Sequence, residues 1–134
     1  MYLLDTNALI ILMFGNVTAA NLSTETMGIL EESDAIYASE ASLWEIAIKM
    51  KIGKLSINES VYQITEKCRK EGVQFIPMTI GQIDKTLDLP LLADHRDPFD
   101  RLIAAVAKTN GLTLISTDDK MRVHQGDYGI KVIS

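Results

Sequence analysis

The residues of this chain best suited to chemistry are four acids. Asp5 follows directly on the apolar run Tyr2 to Leu4, and Glu45 lies early in the amphipathic stretch Leu43 to Lys51. Asp100 stands three residues after Asp97 and two after Pro98, and Asp118 three residues after the apolar run Leu112 to Ile115. Carboxylates gathered without matching bases repel one another, and divalent cations relieve that repulsion. Hard ions such as Mg²⁺ or Mn²⁺ prefer carboxylate and water oxygens, and a pair of them can activate water and stabilise the leaving oxygen of a phosphodiester. That chemistry needs no histidine and no activated serine. The chain has no Walker loop, no G-x-G-x-x-G and no G-x-S-x-G, so nucleotide-, dinucleotide- and serine-hydrolase readings lack support. One cysteine and two histidines give no basis for a structural zinc site.

Taken singly, each acid has a plainer use. Ser42 and Glu45 have capping-box spacing; Asp97 and Asp100 suit a helix N-cap and a first-turn acid. Asp118 and Asp119 suit a turn after a strand, and Asp5-Thr6-Asn7 a helix start. Their convergence is what carries weight, and it depends on the elements that hold them.

Short apolar runs at Tyr2–Leu4, Ala35–Ala38, Phe75–Met78, Leu112–Ile115 and Ile130–Ile133 predict five strands. Between them lie helices at Thr6–Met13, from Ser23 to about Glu32, and at Leu43–Lys51. A further helix is expected behind a Ser56/Glu59 capping box and ended by Gly72, another opened by Thr79 with Gln82, and a last one from Asp97-Pro98 to about Thr109, stopped by Asn110-Gly111. Four to five short strands alternating with helices predict an α/β domain over residues 1–134, with a mostly parallel sheet covered on both faces. Ligands in such sheets bind at the carboxyl ends of the strands. Asp5, Glu45 and Asp118 should then share one crevice, with Asp100 joining them if its helix starts over the same edge.

The chain has 134 residues, 47% of them hydrophobic, ample for a core without disulfides; its single cysteine, Cys68, has no partner in the chain. Ala8 to Phe14 imitates the core of a signal peptide, but no basic residue precedes it and no clean cleavage site follows. No apolar run is long enough to span a bilayer, so a cytoplasmic protein without a membrane partner is expected. The net charge of −5 runs against a protein that binds nucleic acid by neutralising phosphates. Two divalent ions in the acidic crevice would bring it close to neutral.

Four blocks in order, LLDTNALI, ASLWEIAIKMKIGKL, DPFDRLIAAVA and LISTDD, together resemble PIN-domain proteins, most of all the stand-alone VapC-type toxins of prokaryotic toxin–antitoxin pairs. The resemblance spans almost the whole chain. It implies that Asp5, Glu45, Asp100 and Asp118 are the metal-binding and catalytic acids, with Thr6 and Asn7 supporting the first. Asp97 stands as the alternative to Asp100, and Asp119 to Asp118. It further implies an Mg²⁺- or Mn²⁺-dependent endoribonuclease, an RNA substrate, a cognate antitoxin protein that silences it, and a homodimer.

Around this set, Lys49 pairs with Glu45 at helical spacing and, with Lys51 and Lys54, offers phosphate contacts as the sharper alternative. Arg101 is a candidate to orient a carboxylate or meet RNA, Trp44 reads as a packing residue, and His95 as a loop residue with a possible proton-transfer role. Apolar residues among Ile11, Met13, Phe14, Met27 and Leu30 are candidates for an antitoxin groove beside the acids, with burial in the core the plainer reading for Ile11 and Leu30. Two rival readings remain: a non-catalytic PIN-fold interaction module, and a haloacid-dehalogenase-like phosphatase. The phosphatase would want an acid where this chain has Asn7.

Overall fold

The computed structural model describes residues 1–15 and 21–134. Five strands, β1 (Tyr2–Leu4), β2 (Ile36–Ser39), β3 (Val73–Ile76), β4 (Thr113–Ile115) and β5 (Val132–Ile133), form one sheet in the order β3-β2-β1-β4-β5, every pair parallel. The chain winds outward from β1 through β2 to β3, then returns to the other side of β1 for β4 and β5. β1 and β4 are thus neighbours at the point where the winding reverses, with Leu4 opposite Ile115. That reversal opens a crevice beyond their carboxyl ends.

The helices are α1 (Thr6–Phe14), α2 (Thr24–Glu32), α3 (Glu40–Lys51), α4 (Val61–Lys70), α5 (Ile80–Lys85), α6 (Pro98–Asn110), α7 (Asp119–Val123) and α8 (Gln125–Tyr128), with a 3₁₀ turn at Thr86–Asp88. Adjacent strand residues serve opposite faces. Leu4, with Ala38 and Ile115, packs with Leu9, Ile46 and Ile64 of α1, α3 and α4. Leu3 and Leu114 pack with Ile103 and Val106 of α6, Met121 and Tyr128. A sheet covered on both faces explains why its strands read as unbroken apolar runs.

Several helix signals act as the spacing predicts. Asp97 caps α6, accepting from the N–H groups of Phe99 and Asp100, Pro98 opens it, and Gly111 ends it at φ 63°. Thr79 and Gln82 form a reciprocal capping box at α5, and Gly72, at φ 90°, follows the end of α4.

Two other boxes are displaced. Ser60 and Gln63, not Ser56 and Glu59, cap α4; the segment before it instead lays Leu55 and Ile57 onto the core. β2 runs to Ser39, and this serine caps α3 through the N–H of Ala41, so α3 starts three residues earlier than expected. Ser42 is buried and accepts from the Thr6 hydroxyl at 2.9 Å. Glu45 therefore lies a turn further into α3 and closes no helix end. β3 begins two residues earlier than Phe75 because Gly72 hands the chain straight to Val73, a shift that leaves the alternation of faces unchanged.

Arg101 neither orients a carboxylate nor faces solvent freely. Its guanidinium donates to the carbonyls of Pro90 (2.7 Å), Thr86 (2.9 Å) and Leu89 (3.2 Å), clamping the segment after α5 onto α6. A planar fork with several donors suits this task better than a lysine. The clamp holds the 90s loop over the carboxyl edge of β4, where α6 begins.

Candidate active site

Asp5 leaves β1 at the reversal crevice, its N–H donating to the Ile115 carbonyl of β4 at 3.0 Å. Its carboxylate accepts from the N–H of Ala8 at 2.8 Å, capping α1, and is only 3% exposed. This acid is buried, where the sequence suggested an edge position. Burial pushes its pKa up to about 6; bonds from the Ser116 side chain and Ala8 oppose that, and the charges of Glu45 and Asp118 add to it. Glu45 and Asp118 therefore lie within electrostatic reach of Asp5.

Asp118 caps α7, accepting from Lys120 N–H at 2.9 Å, while its own N–H donates to Ser116 Oγ. Asp100, in the first turn of α6, faces the same crevice. Burial raises its pKa to about 7, Asp97 and Asp5 adding to the rise while a hydrogen bond from His95 works against it. Glu45 reaches in from α3. One oxygen, Oε2, meets Lys49 Nζ at 3.2 Å, and the other, Oε1, is buried without a hydrogen-bond partner among the described residues. Lys49 also donates to Asn7 Oδ1 at 3.2 Å. The cluster is thus not wholly without a base, since one lysine pairs with Glu45.

The structure separates the candidate acids that the sequence left as alternatives. Asp97 turns its carboxylate to the α6 N-terminus, and Asp119 is exposed and pairs with Arg122 at 2.8 Å. Asp100 and Asp118 instead converge on His95, whose Nε2 lies 3.1 Å from Asp100 Oδ2 and 3.5 Å from Asp118 Oδ2. His95 is the residue that sequence reasoning undervalued. Far from being a free loop side chain, it is 4% exposed, with Nδ1 2.8 Å from the Tyr128 hydroxyl. Its place five residues before Asp100, next to the helix-opening Arg96-Asp97-Pro98, was the available signal. Tyr128 gave none, because α8 is only four residues long.

The residues that converge on this crevice fit a cation. One ligand atom each from His95, Asp100 and Asp118 lies within 4.8 Å of the others. Two carboxyls are held above the usual range, and Glu45 keeps a buried oxygen without a partner. An oxygen-rich set of this kind fits a hard divalent ion, which would satisfy all three conditions together. Cys68 takes no part: it is buried in the other core layer, its thiol pushed up to about 11.

The family model described as PIN domain matches residues 2–126. The chain belongs to the PIN-domain family. Among curated proteins none matches it. Its fold is similar to that of FitAcB from Neisseria gonorrhoeae, at 17% identity and a TM-score of 0.66 over 100% of this chain and 97% of that one. A toxin–antitoxin complex from Klebsiella pneumoniae gives 20% identity and a TM-score of 0.65 over 100% and 97%. VapBC2 from Rickettsia felis, bound to a DNA fragment from their promoter, gives 16% and 0.62 over 98% and 96%. At these identities the likeness is one of fold.

Other expectations are revised by the geometry. Trp44 is 58% exposed, so it is no core residue, but it packs edge-on against Phe99 and so joins α3 to α6, the helix-packing role expected of it. Ile11 and Leu30 are buried, while Met13, Met27 and Leu30 line a groove of about 530 Å³ with Leu12, Ile36 and Lys67. That groove borders the start of β2 and the end of α4, at the sheet edge opposite the acids, so it is not the neighbour of the crevice that the sequence suggested. Among the described residues no helix is long and apolar enough to cross a membrane.

Proposed function

We propose that this PIN domain is a VapC-type toxin, an endoribonuclease that depends on Mg²⁺ or Mn²⁺ and is silenced by a cognate antitoxin in the cytoplasm. The observation that carries the reading is the meeting of Asp5, Glu45, Asp100 and Asp118 at the reversal crevice, with Asp5 and Asp100 held at raised pKa. These four residues would hold the cation. When bound, it supplies an activated water at neutral pH and charge to receive the leaving oxygen of the phosphodiester.

The remaining work falls to the chain itself. Ala8 N–H and Ser116 orient Asp5, and the Thr6–Ser42 bond ties the start of α1 to α3, fixing Asp5 and Glu45 in one frame. Lys49 offsets the charge of Glu45 at the rim of the crevice, where a backbone phosphate would arrive. The similarity in fold to a toxin–antitoxin complex and to VapBC2 supports the antitoxin as partner. Cleavage of RNA by the purified protein, lost with a chelator and restored by Mn²⁺ or Mg²⁺, is the expected result. Stable binding of a partner protein with no cleavage of any RNA under those conditions would favour the non-catalytic module instead.

The homodimer belongs to the same reading. Ile80, Ile83, Leu87 and Leu91 leave a run of exposed apolar side chains along α5 and the segment that follows it. Exposed apolar side chains gathered in one segment of this kind are the natural candidates for an interaction surface. Light scattering is expected to give twice the chain mass for the unmodified protein and the monomer mass for the Ile80→Asp, Leu87→Asp double variant. A monomer at tens of micromolar without substitution would refute it.

A further inference from the structure

The four acids do not account for everything at the crevice. The His95 ring is fixed at both nitrogens, by Tyr128 at Nδ1 and by Asp100 and Asp118 at Nε2. On one side it is stacked by the His124 ring, 6.3 Å away and inclined by 15°, which is itself anchored by Asp94 and Asp127. Such immobilisation exceeds what a buried histidine needs for satisfaction alone.

The hydrogen bonds select the tautomer. The Tyr128 hydroxyl is buried, and among the described residues His95 Nδ1 is its one hydrogen-bond partner, so the hydroxyl donates and Nδ1 accepts. A proton on Nδ1 would leave the hydroxyl hydrogen without an acceptor. At the opposite nitrogen, two carboxylate oxygens face Nε2. With Asp100 ionised, lone pair against lone pair there would be repulsive, whereas an N–H is shared between them. Both ends of the ring demand the same arrangement, with the proton on Nε2.

We propose that His95 is a positioning residue of the acid cluster, locked by the Tyr128 hydroxyl with its proton on Nε2 so that this N–H bridges Asp100 and Asp118 and sets them for a divalent cation. The inference rests on the nuclease reading of the acids. Asp100 enters from α6 and Asp118 from the start of α7, two elements that share no backbone hydrogen bond among the described residues. A rigid ring donor does this at lower entropic cost than two freely rotating acids. Tyr128 acts one step behind, holding the donor rather than the acids.

The first test needs no variant. In ¹⁵N-labelled protein without metal, at about pH 9 where Asp100 is ionised, the His95 ring should show a protonated Nε2 and a bare Nδ1; an Nδ1-protonated ring overturns the proposal. Calorimetry with Mn²⁺ should then show affinity falling about 10- to 100-fold in His95→Ala, the range for loss of a supporting hydrogen bond at a metal site. His95→Gln, which keeps an N–H donor, should recover part of it. Tyr128→Phe should lose several-fold and relax the tautomer preference. Equal Mn²⁺ affinity in folded His95→Ala overturns the positioning role, and so does disappearance of the Nε2–H on adding Mg²⁺, which would make His95 a direct ligand. If the unmodified protein binds no divalent cation, the nuclease reading falls, and the purpose assigned to His95 falls with it. An intact tautomer alongside cation binding lost only in the variants sustains both.

Discussion

Asp5→Asn is expected to yield a protein that is more stable than the unmodified chain when metal is absent and that no longer cuts RNA. The Asp5 carboxyl is buried, with its pKa raised from 3.8 to about 6, so holding it ionised at neutral pH costs the fold roughly 3 kcal/mol relative to the unfolded chain. Asparagine keeps an oxygen to accept from Ala8 N–H and is as good an N-cap as aspartate. It removes the charge, along with the repulsion from Glu45 and Asp118. We expect a gain of about 1–3 kcal/mol, read as a rise of several degrees in the melting temperature of metal-free protein. Cleavage should fall at least about a hundredfold, because a cation ligand matters more than the outer-shell partners whose loss costs that much. Saturating Mn²⁺ should reverse the stability order, since a ligand at a hundred times its dissociation constant adds about 2.7 kcal/mol to the form that binds it. A variant that is destabilised without metal would show that Asp5 serves the fold rather than the site.

The second large effect concerns pH. Asp5 and Asp100 have folded-state pKa values near 6 and 7, above the 3.8 of the unfolded chain, so between these values the folded protein holds protons that the unfolded one has released. With respect to these groups, stability of the metal-free protein is therefore greatest below about pH 4. It declines as pH rises from about 4 through 7, by up to about 1.4 kcal/mol per pH unit for each proton, and then levels off. Bound Mg²⁺ or Mn²⁺ takes the place of the protons and should flatten the decline. Cation binding at pH 6 should release protons, visible as a dependence of the calorimetric heat on the ionisation enthalpy of the buffer. Metal-free stability that rises steadily from pH 5 to 8 would contradict the burial of both carboxyls.

The fold was legible where local chemistry and tertiary packing agree. Leu3 and Leu4 serve opposite core layers, so β1 had to read as apolar without alternation, and Asp97-Pro98 and Gly111 bracket α6 through preferences that no packing opposes. Serine with an acid three residues on is a weaker guide. Ser42–Glu45 and Ser56–Glu59 both have capping-box spacing, and neither caps, because strand length and the burial of Leu55 decide where the helices begin. Asp5, Asp100 and Asp118 could be placed because each follows a strand or opens a helix, and Glu45 because its helix leaves β2 at the same edge. The histidine could not: nothing local to His95 indicates that Tyr128, on a four-residue helix, will meet it. Likewise, Arg101 looked available for RNA because its carbonyl partners lie in a segment with no periodic pattern.

The pairing of β1 with β4 also sets a schedule for the molecule's activity. Asp5 is made almost first and Asp118 almost last, and they meet only when β4 inserts beside β1, after α1 to α6 have been synthesised. Contacts of such sequence separation form late, because the entropy of closing the loop must be met before they return anything. On the ribosome the amino-terminal half carries Asp5 and Glu45 but neither the other two carboxylates nor the Ile115 and Ser116 contacts that hold Asp5. Cutting power would therefore arise only at the end of chain completion, and a chain truncated before β4 would be inert. A partner arriving during translation would meet a harmless intermediate before it met an enzyme.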